Sequence, residues 1–157
     1  ALQSDDKVIA VGGFTTFGGY TRTKIVRLNT DGTVDPSFDP GIGPNGMNLM
    51  AVAIQNDGKI LIAGDFDTFS GTATTYITRL NTDGSLDNTF NIGAGNLNGP
   101  NGTVNCIFIQ DDGKIVLGGD FTYYNGVQKK RIVRLNVDGT IDNTFNNLFI
   151  ITPTYII

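Results

Sequence analysis

The sequence predicts an all-β, propeller-like chain of three four-stranded antiparallel blades, and three observations carry that prediction. One unit is written three times along 157 residues, and each copy sets Asp-Gly turns between short apolar runs. The composition also favours turns over helices: glycine is abundant at 21 residues, and all 15 acidic residues are Asp, with no Glu, His or Trp. Glu is a good helix former, whereas Asp, Asn and Gly favour turns and caps.

Self-similarity at a fixed period is the signature of stacked repeat architectures. Residues 1–7, 53–59 and 108–114 match in order, and their closing lysines, Lys7, Lys59 and Lys114, lie 52 and 55 residues apart. Ile25-Val26-Arg27-Leu28-Asn29 recurs as Ile77-Thr78-Arg79-Leu80-Asn81 and Ile132-Val133-Arg134-Leu135-Asn136. Asp35-Pro36-Ser37-Phe38 recurs as Asp87-Asn88-Thr89-Phe90 and Asp142-Asn143-Thr144-Phe145. Three landmarks in register place the copies at about 1–52, 53–107 and 108–146. An apolar, non-repeating tail, 147–157, is expected to add a strand to a neighbouring element.

Within the second copy the strands are expected at about 50–55, 59–66, 76–81 and 85–90. Asn56-Asp57-Gly58 joins the first pair and Thr82-Asp83-Gly84 the last, because Gly supplies the positive φ that a tight hairpin demands. Gly58 and Gly113 fill the first turn, and Gly32, Gly84 and Gly139 the last. The first copy has Asp6 where the others have Gly; Asp tolerates the left-handed region at modest cost, so a strained turn is expected there.

Ile60-Leu61-Ile62-Ala63-Gly64 and Ile115-Val116-Leu117-Gly118 are continuous apolar runs rather than alternating ones. Such runs are buried on both faces. A single meander cannot cover both its own faces, but copies stacked face to face can, as propeller blades are. The glycines that end the second strand (Gly12-Gly13, Gly64, Gly118-Gly119) suit places where backbones crowd. Aromatics at matching places (Phe14, Phe17, Phe38; Phe66, Phe69, Phe90; Phe121, Tyr124, Phe145) read as core between blades.

The third copy, with Gln110-Asp111-Asp112-Gly113-Lys114-Ile115, Gly118-Gly119-Asp120-Phe121-Thr122, Asn125-Gly126 and Arg134-Leu135-Asn136-Val137-Asp138-Gly139, resembles the delta-60 repeat, a β-propeller repeat family. The resemblance reaches to about Asn146. It implies a propeller-like fold and a setting among bacterial surface or secreted proteins and phage structural proteins, and it implies no catalytic set. The first copy departs from it with Gly13 where the others carry Asp65 and Asp120.

Propellers close with four to eight blades. Three blades leave outer apolar faces and unpaired edges, so protein is the expected partner, through self-assembly or the rest of a longer chain. The formal charge of −4 includes no basic stripe, which argues against nucleic acid. Lys129-Lys130-Arg131 reads as a solvated strand edge. No apolar stretch is long enough to span a bilayer, so membrane insertion is not expected.

Without His, Ser/His/Asp catalysis and His-based proton transfer have no residues to use. Paired carboxylates of the glycosidase kind find candidates in Asp65, Asp67 and Asp120, yet Asp65 and Asp120 hold equivalent places in successive copies, as structural residues do. The Asn-x-Asp-Gly segments offer oxygens for calcium but lack the further ligands of an EF-hand loop; a hairpin turn explains them more simply. Cys106, alone in an apolar run, reads as a small buried hydrophobe. No catalytic residue, metal ligand or cofactor is therefore expected.

Arg27, Arg79 and Arg134 sit mid-strand in apolar company. A buried guanidinium needs a partner, and Asp35, Asp87 and Asp142 are the expected ones, in a repeated structural clamp. Recognition is expected in the Gly-, Asn- and Pro-rich loops 39–48 and 91–102 and in the 72–75 segment, at Asn45, Asn48, Thr72, Thr75, Asn96, Asn98 and Asn101, because binding concentrates on loops held by a rigid scaffold. Their polarity suits surface glycans. The leading expectation is a non-catalytic structural or adhesion module of a virion or of a bacterial surface or secreted protein, outside the cell. A carbohydrate-binding propeller is the alternative, and a glycoside hydrolase-like propeller a more distant one.

Overall fold

The computed structural model describes residues 1–90, 92–93 and 99–145. The first copy forms β1 (Val8–Val11), β2 (Thr16–Phe17), β3 (Tyr20–Thr21) and β4 (Ile25–Leu28). The second forms β5 (Leu49–Ile54), β6 (Ile60–Gly64), β7 (Thr68–Phe69), β8 (Thr72–Ala73) and β9 (Ile77–Leu80). The third forms β10 (Val104–Ile109), β11 (Ile115–Gly119), β12 (Tyr123–Tyr124), β13 (Val127–Gln128) and β14 (Ile132–Leu135). The main sheets run β1-β4, β5-β6-β9 and β10-β11-β14, all antiparallel, and a two-residue ribbon follows the second strand of every blade. No helix of the described residues is long and apolar enough to cross a membrane.

The architecture is the expected all-β, open propeller-like one, with one difference in each blade. The fourth strand is reduced to a single bridge, Leu28↔Val34, Leu80↔Leu86 and Leu135↔Ile141. From the next residue the chain curls: Asp87 Oδ1 accepts from the Thr89 N–H and hydroxyl at 2.9 and 2.6 Å, and the Phe90 N–H donates back to the Asp87 carbonyl. A backbone committed to that turn cannot continue along β9. In the first blade the inner strand is likewise one bridge, Leu2↔Val8.

Hairpin chemistry is as the Asp-Gly turns require. Gly58 and Gly84 take φ of 82° and 94°, and Asp6 stands at 62° in the turn where the other copies use glycine. Crowding is real at the end of the second strand: a Cβ on Gly64 would lie 2.3 Å from the Asn48 carbonyl oxygen, and one on Gly119 2.1 Å from that of Thr103. These glycines let the inner strands β5 and β10 bulge against their partners, where the register shifts between Leu49 and Ala51 and between Val104 and Cys106.

The core lies between blades. One cluster joins Ile9, Ile25 and Phe38 of the first blade to Ile60, Ile62, Phe66, Phe69 and Leu80 of the second. The other joins Leu61, Ala63, Ile77 and Phe90 of the second to Ile115, Leu117, Phe121, Tyr124 and Leu135 of the third. All five residues of β6 are buried, since a blade covers each face. In β11 burial alternates at Ile115, Val116 and Leu117 because only one face is covered. The final Phe of the first two Asp-x-x-Phe landmarks packs into the next blade. Phe38 is 0% and Phe90 7% exposed, whereas Phe145 is half-buried.

Cys106 departs from expectation: it is exposed. It lies on β10, which among the described residues pairs with β11 alone, so the run's apolar character does not translate into burial on both sides.

Candidate functional site

The polar side chains of the blades converge on one arrangement, repeated three times. In the second blade Asp87 Oδ2 accepts from Arg79 Nε at 2.7 Å and from Lys59 Nζ at 2.8 Å, while Oδ1 takes the two bonds from Thr89. Its four acceptor positions are thus filled. The Arg79 guanidinium lies over the Phe90 ring, 4.8 Å from the centroid, and Nη1 donates to the Gln55 amide oxygen at 3.1 Å and to the Val137 carbonyl of the next blade at 2.8 Å. The fork reaches all of these because a guanidinium is planar and carries five donors.

The first and third blades repeat the set. Asp35 accepts from Arg27 at 2.9 Å and Lys7 at 2.8 Å, with Ser37 on its other oxygen. Asp142 accepts from Arg134 at 2.8 Å and Lys114 at 2.9 Å, with Thr144 on its other oxygen. Arg27 crosses to the Thr82 carbonyl of the second blade at 2.6 Å. Arg134 instead meets Gln110 of its own blade at 3.4 Å. The lysines were visible as landmarks of the period, but sequence reasoning missed them as partners of the aspartates. Their constant spacing from the aspartates was the available signal.

Electrostatics favour ionised aspartates. Burial pushes the Asp35 and Asp87 carboxyls up, but the lysine, the Ser37 or Thr89 bonds and the arginine outweigh it, leaving both well below the usual carboxylate range. The Thr144 hydroxyl, then Lys114, the Thr144 N–H and Arg134 do the same for Asp142.

Several of the other acids are engaged in turns or pairs. Asp31 Oδ1 accepts from the Thr33 N–H and hydroxyl at 2.9 and 2.6 Å, and Asp83 and Asp138 do the same with Ser85 and Thr140. These are turn bonds, and they lower each carboxyl's pKa, the hydroxyl bond being the largest cause. Asp120 pairs with Arg131 at 2.8 Å on an exposed surface. Asp67 accepts from the Asn45 amide. Among the described residues no group of three His, Cys, Asp or Glu side chains is placed to hold a metal ion.

Two loop candidates act as pins. Asn45 Oδ1 accepts from the N–H groups of Asp67 and Thr68 at 3.0 and 2.9 Å. Asn101 Oδ1 accepts from those of Thr122 and Tyr123 at 2.8 and 2.9 Å. Each thereby ties the loop before a blade to the ribbon within it. Asn48 and Thr72 are exposed, and Thr75 is half-buried. Asn96, Asn98 and the 147–157 tail lie outside the described residues. A small cleft of about 110 Å³ opens beside Asn45, Asp65, Asp67 and Tyr76.

Three matched segments decide the family. The family described as "Domain of unknown function (DUF5122) beta-propeller" matches at residues 3–38, 55–90 and 110–145. The chain belongs to that family. Each DUF5122 match opens at the glutamine before the first hairpin turn and closes on the Phe of the clamp, so the matched unit holds the whole Lys-Arg-Asp-Phe set. No curated protein and no solved structure matches the chain.

Proposed function

We propose that this DUF5122 chain is a non-catalytic structural or adhesion module, of the delta-60 type, in a virion or in a bacterial surface or secreted protein. The observation that supports it most is the saturation of Asp35, Asp87 and Asp142, each with two cations on one oxygen and a Ser or Thr on the other. A carboxylate filled in this way has no lone pair left for a substrate proton. A threefold repeated clamp also suits a scaffold, since a catalytic centre is normally built once on a fold.

Carbohydrate recognition is the second reading, favoured by the exposed ribbon tips. Tyr20 and Tyr123 are 44% and 42% exposed, and a ring with one wet edge suits sugar stacking. Aryl-glycoside turnover assays and a glycan array with the purified chain separate these readings. The structural reading expects no turnover and no retained glycan. Retention that disappears in Tyr20→Ala or Tyr123→Ala moves the function to carbohydrate binding, and turnover abolished by Asp65→Asn or Asp120→Asn overturns both.

A further inference from the structure

The two outer faces of the described blades are the two halves of the junction seen twice inside the chain. On the first blade's outer face Val8 is 36% exposed, although its counterparts Ile60 and Ile115 are 0% exposed. Phe14 and Phe17 stack edge to face at 5.6 Å but are only half-buried, whereas Phe66, Phe69, Phe121 and Tyr124 in the same places are at most 2% exposed. On the third blade's outer face Val116 and Phe145 are half-buried, while Leu61 is 0% and Phe90 7% exposed. The Arg134 side chain is 20% exposed, against 9% and 6% for Arg27 and Arg79.

Polar complementarity follows the same line. Arg27 and Arg79 each donate to the carbonyl of the residue before Asp-Gly in the next blade, Thr82 and Val137. The matching residue of the first blade is Thr30, which is exposed.

We infer that a second copy of this chain docks head to tail, its first blade against the third blade of its partner, so that Phe145 fills the space beside Phe14 and Phe17 and Arg134 donates to Thr30 of the partner subunit. Such a junction joins two different faces, and heterologous interfaces close into rings when their rotation allows. Two copies at two junctions make six blades, within the range in which propellers close. The inference concerns self-association and stands apart from the choice between scaffold and sugar binding.

Sedimentation analysis of the purified chain tests it, and the expected species has twice the 16.8 kDa of one chain. Val8→Asp and Phe145→Asp, one on each face, are each expected to sediment as monomers. Circular dichroism should keep its wild-type form, because both positions are already partly exposed. Mixing the two variants restores a two-chain species through the one junction whose faces are both intact. A wild-type chain that is monomeric at about 100 µM, where an interface of standard size would be populated, overturns the inference. Association that survives Phe145→Asp overturns it too, and so do two folded monomeric variants that fail to recombine.

Discussion

Arg79 Nη1 donates to the carbonyl oxygen of Val137 across the junction between the second and third blades, at 2.8 Å. The same guanidinium holds Asp87 within its own blade. One side chain therefore ties a turn to its sheet and that sheet to its neighbour, and the clamp and the blade junction are a single device.

Removing Arg79 breaks both links. Arg79→Ala leaves Asp87, 4% exposed in its side chain, with Lys59 as its one cation and leaves the Val137 carbonyl with the longer bond from Gln55 Nε2 at 3.3 Å. Breaking a buried pair from one side costs about 3–5 kcal/mol, and urea unfolding should show a loss of that order. Arg79→Lys, which keeps the charge without the fork, falls in between. Arg134→Ala costs less than Arg79→Ala, since Arg134 is more exposed and, among the described residues, makes no bond to a following blade.

Phe90 and Phe145 hold the same place in successive landmarks but not the same surroundings. Phe90→Ala empties a site in the junction core and should cost about 3–5 kcal/mol. Phe145→Ala, measured in urea at a concentration where the chain is monomeric, should cost distinctly less, because its ring keeps only half its cover. Equal losses would contradict the inter-blade placement of these rings.

Stability should fall in acid. Asp35, Asp87 and Asp142 have folded-state pKa values well below the unfolded value of about 3.9. The unfolded chain thus binds protons before the folded one does as pH falls. Their stabilisation is complete above about pH 5 and is lost as pH drops through about 4 toward the folded-state values. With no His in the chain, the Ala1 ammonium, whose pKa burial lowers, is the group left to titrate toward pH 8. Thermal melts between pH 5 and 6 should therefore coincide, and Asp87→Asn should weaken the acid-side fall.

Asp6 occupies a left-handed conformation, at φ 62°, that Gly58 and Gly113 occupy in the other copies. Glycine adopts it without steric cost. Asp6→Gly should raise stability by about 0.5 kcal/mol, and Gly58→Ala should lower it by about 1 kcal/mol. A melting temperature that falls in Asp6→Gly would refute the strain assigned to this turn.

Much of the blade was legible before any coordinates. The three Asp-x-x-Phe landmarks, the Asp-Gly turns and the uninterrupted apolar run of β6 state the strands and their two-sided burial in local terms. Arg79 and Asp87 could be matched because they stand eight residues apart around one hairpin, as do Arg27 with Asp35 and Arg134 with Asp142. Lys59 was harder to read, since its aspartate lies 28 residues away. The truncated fourth strand was hidden because Leu86 looks like a strand residue until Asp87 turns the chain. Cys106 misled for a related reason: an apolar run says nothing about which side of its strand has a neighbour.

Hairpins, turns and the repeat itself are encoded over a few residues, through alternation and glycine placement, so reading along the chain recovers them. Which face meets which neighbour is encoded between residues about one repeat apart, as Phe38 against the second blade and Phe90 against the third. Those contacts depend on how twisted sheets stack, an ordering that no local pattern contains, and so the crossing of Arg79 to Val137 and the unmatched faces at Val8 and Phe145 emerged only from the assembled blades.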